Sequence, residues 1–338
     1  MTTDVFMQGV RPQGLQKGRG GFLRSTDDSP YVSDPSGELV KTGARRGEVK
    51  RLKYGSPSNR GREIENDAGL VKYKQRLSLL GIGMEPSLAT ACSHLADYVV
   101  GSPEFNTAAD AIVVCADRLT RSSLAADRGT HGHLLCELWD QNPNRGCGVF
   151  CVPRDVVEAG CALGLDEATQ GAVLDAWVDM LADNGLEVLA IEASCVDDRW
   201  RLAGTLDRIV RLTRHLTFVK ASGELVMIPA GTVLILDIKF GKCRKAHPIQ
   251  IASYAQSRPY DTDLEQRGEW PFTIDQTHAL IAHGDFGDDT RPVTIELVWV
   301  DLVAGREHGG QCVVDAKAWA ARGDVFSVAQ LDDPPDAA

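Results

Sequence analysis

Apolar positions along this chain change from a helical to a strand period between residues 184 and 188. Before this change, they recur at helical spacing from near Ile64 towards Leu80, and again over 86–99 and 107–125. Residues 153–184 read as two helices, with V-V-E-A-G-C-A-L and A-V-L-D-A-W-V-D-M-L each lining one face. Leu134–Trp139 is expected to be a further helix, opening after a turn at G-T-H-G-H. After the change the runs are short, β-branched and alternating or wholly apolar: Val188–Ala193, Trp200–Leu206, Leu225–Ile228 and Val233–Ile238. Pro248–Gln256 returns to helix. Ala279–His283 and Val293–Leu302 are strands on either side of G-D-F-G-D-D, and a short helix is expected near 316–321.

Helices followed by a strand cluster with one central helix predict a mixed α/β domain behind a helical N-terminal region. Residues 1–60 are rich in Gly, Ser, Arg and Pro without a sustained period, so they are expected to be a flexible leader. The boundaries follow: leader 1–60, helical region 61–128, α/β core 129–325 and a frayed tail 326–338.

Charge sharpens this division. The 338 residues carry a formal charge of -11, yet 11–76 holds 15 Lys and Arg against 8 Asp and Glu. A basic front on an acidic body fits a protein that meets phosphate locally, and fits a solvated leader equally well. No apolar run reaches membrane-spanning length and no secretory pattern opens the chain, so a cytoplasmic protein without a membrane partner is expected. Nine cysteines, an odd number, are then expected as reduced thiols.

Candidate chemistry concentrates between Leu202 and Tyr254. In L-I-L-D-I-K, alternation puts Asp237 and Lys239 on one face of a strand. Asp207 ends a similar run, L-A-G-T-L-D, with Gly204 three residues earlier permitting close approach. Glu192 ends the preceding strand, and Gln250 and Tyr254 share a helix face. Taken singly, these fit solvated strand ends and a turn aspartate as well as a site. His131 and His133 with Cys136 suggest zinc, but Cys147, Cys151 and Cys161 follow at irregular spacing.

In this order the pieces resemble the RecB-like branch of the PD-(D/E)XK nucleases, most closely its phage and CRISPR-associated exonucleases. The pattern of that branch is G-T-x-x-H, Gly-x-x-Asp, acid-x-Lys and Gln-x-x-x-Tyr. It falls here on Gly129, Thr130 and His133, on Gly204 and Asp207, on Asp237 and Lys239, and on Gln250 and Tyr254. The resemblance covers about residues 129–302 and implies a restriction-endonuclease-like mixed sheet flanked by helices. It implies Mg²⁺ or Mn²⁺ held by His133, Asp207, Asp237 and the carbonyl of Ile238. Lys239 would orient water, Glu192 would hold a second ion or steady the first, and Gln250 and Tyr254 would position the substrate. The implied activity is DNA exonuclease in recombination, replication or repair, with DNA and the proteins of those processes as partners. An endonuclease, or a non-catalytic DNA-binding protein on the same fold, stands behind it. Only Cys312 follows Tyr254, so no iron–sulfur cluster is expected. The long interval between Asp207 and Asp237 predicts an extra strand or hairpin near Phe218–Ile228, and no Walker-type phosphate loop is present.

Overall fold

The computed structural model describes residues 21–24, 29–42, 45–62, 68–142, 151–220, 222–288 and 290–311. Strands β1 (Leu23–Arg24), β2 (Pro30–Ser33) and β3 (Arg51–Lys53) form a small antiparallel sheet, and α1 (Pro57–Arg62) follows. Phe22, Val32 and Tyr54 are buried against Val196, Ala203 and Tyr260 of the main body. Arg51 pairs with Glu265, and Arg267 donates to Asp198 and to the carbonyl of Ser33. This corrects the expectation of a flexible leader from residue 21 onwards. Strands of two to four residues are too short for their alternation to register in sequence. Residues 1–20 of the expected leader lie outside the described residues, as do 312–338 with Cys312, the helix at 316–321 and the tail.

Helices α2 (Ala68–Met84), α3 (Pro86–His94) and α4 (Pro103–Thr120) form the expected helical region. Ser102 caps α4 by accepting from the Phe105 amide at 3.1 Å, with Pro103 in the first turn. The next helix, α5 (Leu124–Gln141), runs straight through G-T-H-G-H, where a turn was expected. The reason is tertiary. A Cβ on Gly132 would lie 2.4 Å from Cε2 of Phe240, so the glycine is a notch for a ring. That packing outweighs the roughly 1 kcal/mol that glycine costs a helix interior.

Next come α6 (Arg154–Ala162), α7 (Glu167–Asp183), β4 (Leu186–Asp197), β5 (Leu202–Leu212), β6 (Leu216–Val219), β7 (Leu225–Ile228) and β8 (Val233–Phe240). The described residues end with α8 (Ala246–Ala255), β9 (Arg258–Asp261), β10 (Gln266–Arg267), β11 (His278–Asp285), β12 (Thr294–Asp301) and a π-helical turn at Ala304–Gly309. Strands β6 and β7 form the hairpin expected between Asp207 and Asp237. Seven strands make one mixed sheet in the order β10-β9-β4-β5-β8-β11-β12. β5 is antiparallel to β4 and β8, β11 is parallel to β8 with α8 crossing between them, and β12 returns antiparallel.

Both faces of this sheet are covered. Leu234, Leu236 and Ile238 of β8 pack with Leu135, Val173 and Trp177 of α5 and α7. Val233 and Ile235 pack with Ile251, Ala252 and Tyr254 of α8. Burial on both sides is why β8 reads as an unbroken apolar run. Among the described residues, no helix is long and apolar enough to cross a membrane.

Candidate metal centre

Three adjacent strands bring the acids to one level. Ile191 pairs with Arg208 and Ala193 with Leu206, which sets Glu192 opposite Asp207. The β5–β8 ladder runs only from Arg211↔Val233 to Arg208↔Leu236. One step beyond it, the Asp207 carboxylate accepts the Ile238 amide at 2.8 Å. A side chain thus takes over from the backbone where the two strands part. Asp237 is the β8 residue beside that break.

The pleat of β4 is interrupted at the same level. Ala190 and Ala193 both face the α8 side, although residues three apart in an even pleat face opposite ways. Between them Glu192 has φ 46, in the left-handed region that non-glycine residues rarely occupy. The break turns Glu192 towards α5. One ligand-capable atom from each of His133, Glu192 and Asp207 lies within 4.8 Å of the others. His133 Nδ1 is 3.5 Å from Asp207 Oδ2. Asp207 is buried and the other two are partly exposed, so the group is close enough to hold a metal ion and open on one side.

Asp237 and Lys239 stand beside this trio. Lys239 Nζ is 2.5 Å from Asp237 Oδ2 and 3.2 Å from the carbonyl oxygen of Ile238. A cationic group therefore contacts both of the oxygens expected to join His133 and Asp207 around a metal. Glu192, expected at the margin, is inside the trio. Gln250 is partly exposed on α8, whereas Tyr254 is only 5% exposed. A Cβ on Gly204 would lie 3.0 Å from the Tyr254 hydroxyl, so this tyrosine bears on the Asp207 strand through the glycine backbone.

His131 points elsewhere. It is buried, with Nε2 3.0 Å from Oε1 of Gln170 on α7. Cys136 is fully buried, and desolvation pushes its thiol far above the ordinary value. The zinc alternative built on His131, His133 and Cys136 is not assembled, because the first and third belong to the core. Cys147 lies outside the described residues.

Two partners of the site went unread in the sequence. Arg208 is fully buried, with Nε 2.6 Å from Asp140 Oδ2, while Trp177 Nε1 donates to the other oxygen of Asp140 at 3.1 Å. Its Nη1 donates to the Asp207 carbonyl at 2.6 Å and lies 3.5 Å from Glu192 Oε1. A charged residue inside L-D-R-I-V was the available signal, since a buried charge needs a partner. The other is Phe240, seated between Gly132 and Gly284, stacked on Phe286 at 4.6 Å and 6.3 Å from the His133 ring. No protein-family model matches this chain, and a search of curated proteins finds no match either.

Proposed function

We propose that this chain is a metal-dependent deoxyribonuclease of the RecB-like kind, hydrolysing phosphodiester bonds from the ends of DNA. The observation that carries the reading is the His133–Glu192–Asp207 group with Asp237 and Lys239 on the adjoining strand. A mixed sheet covered by helices on both faces, with its acids level on β4, β5 and β8, supports the restriction-endonuclease-like core that the sequence resemblance implies.

Charge supports a divalent cation. Glu192, Asp207, Asp237 and Asp140 supply four carboxylates, and Arg208 and Lys239 supply two cations among them. Oxygen ligands with a single imidazole suit Mg²⁺ or Mn²⁺. His133, Glu192 and Asp207 would hold it, with Asp237 and the Ile238 carbonyl beside them on β8. A divalent ion held by these residues would supply Lewis acidity towards the scissile phosphate and a lowered pKa for a bound water.

The remaining work falls to the chain's own groups. Lys239 Nζ donates hydrogen bonds, so it orients the attacking water and offsets charge developing on the phosphate. Asp207 stays fixed because the Ile238 amide and Arg208 hold its carboxylate and carbonyl. Gln250 offers an amide to the bound strand.

The test is incubation of the purified protein with end-labelled linear DNA and with covalently closed circular DNA in Mg²⁺ or Mn²⁺. Metal-dependent loss of the linear substrate alone is expected. Cutting of the closed circle assigns an endonuclease instead, and no hydrolysis of either by folded protein overturns the reading.

A further inference from the structure

An acidic metal site repels the phosphates it is meant to cut, so a nuclease needs cations at its rim. The β8–α8 loop supplies them. From Lys239 to Tyr260 the sequence holds Lys239, Lys242, Arg244, Lys245 and Arg258 and no acid, within a chain of net charge -11. Lys242, Arg244 and Lys245 are exposed. Neither Lys242 nor Lys245 has an ion-pair partner among the described residues.

This loop is a formed element beside the centre. It leaves β8 directly after Lys239 and Phe240. Gly241 turns it with φ 113, and His283 Nε2 donates to the Gly241 carbonyl at 2.5 Å. At its other end the Arg244 amide donates to His247 Nδ1 at 3.2 Å, just before α8 begins. The positive end of the α8 dipole adds to the lysines.

We propose that Lys242, Arg244 and Lys245 bind the phosphate backbone of a DNA strand and lead it past the His133–Asp207 centre. This rests on the nuclease reading and goes beyond it by naming where the strand lies. Beside the loop, burial first and then the charges of Lys239, Arg244 and His283 lower the pKa of His247 to about 4.

The experiment is fluorescence anisotropy of a labelled DNA oligonucleotide in EDTA over a salt series, with the protein and a Lys242→Ala, Lys245→Ala double variant. Calorimetric Mn²⁺ titration of both proteins runs alongside. Each lost phosphate contact lowers the slope of log affinity against log salt by about 0.7–0.9, so the pair should lower it by roughly 1.5. Affinity at low salt should fall about tenfold, with Mn²⁺ binding unchanged. Wild-type affinity and slope in the double variant would overturn the loop assignment and leave the nuclease reading standing. Mn²⁺ binding by the parent without DNA binding would overturn both. Binding of polyglutamate but not DNA, lost in the double variant, would assign the loop to an acidic protein and overturn the proposal.

Discussion

Arg208 and Asp140 form an ion pair with no exposed surface on either side chain, Nε to Oδ2 at 2.6 Å. The pair sits directly behind the candidate metal centre, because the same guanidinium reaches the Asp207 carbonyl and Glu192. Its desolvation is costly, so the pair is weak support for stability in itself. Its consequence is positional: it holds the Asp207 backbone carbonyl and the Glu192 side chain from behind.

Asp140→Asn therefore strips the closest charge from the buried Arg208, leaving Glu192 at 3.5 Å as its carboxylate partner. A stability loss of about 3–5 kcal/mol is expected from urea unfolding. At a temperature where the variant is folded, calorimetry should also show weaker Mn²⁺ binding than in the parent. Unchanged Mn²⁺ affinity in a destabilised variant would restrict Arg208 to a structural role.

The two histidines of α5 should separate cleanly. His133→Ala removes a ligand, so it should raise the Mn²⁺ concentration needed for half-saturation without large destabilisation. His131→Ala strips Gln170 of a buried partner and should cost about 1–3 kcal/mol while leaving Mn²⁺ affinity unchanged. The reverse ranking would move the ligand assignment to His131.

Gly132→Ala sets two effects against each other. Alanine gains about 1 kcal/mol in helix propensity. The new Cβ would meet Phe240 ring atoms at 2.4–2.7 Å, and overpacking of that kind costs about 1–3 kcal/mol. Packing should win, giving net destabilisation that Phe240→Leu relieves. A Gly132→Ala variant more stable than the parent would show that the notch is not tight.

His247 gives a pH signature. Its folded pKa, about 4, lies below the ordinary value of 6.5. Below 6.5 the unfolded chain takes up a proton that the folded chain refuses, so this group lowers stability as pH falls towards 4, and no further beneath it. His247→Gln should make the loss of stability between those limits shallower in urea titrations. Identical profiles for the two proteins would exclude His247 from that loss.

What the sequence revealed depended on range. β8 was legible because a strand buried on both faces is apolar throughout, and α7 because its apolar face repeats at helical spacing. His133 and Asp207 were legible as partners through their motif order. The Arg208–Asp140 pair was not, since its members lie 68 residues apart and neither sits in a recognisable spacing. Glu192 looked like a strand-edge acid because a left-handed φ inside a strand leaves no mark on the residues around it. The glycines of G-T-H-G-H suggested a turn, and only the position of Phe240 explains why they lie in a helix.

The central claim is metal-dependent hydrolysis at Asp207 and Asp237, and the direct measurement is nucleotide release from end-labelled linear DNA in Mn²⁺. The parent, Asp207→Asn and Asp237→Asn are compared, with EDTA as a control and circular dichroism to confirm folding. The parent is expected to digest DNA, EDTA to stop it, and each substitution to lower the rate at least ~10²-fold. Near-parental digestion by either folded variant, or no metal-dependent release by the parent, would contradict the claim.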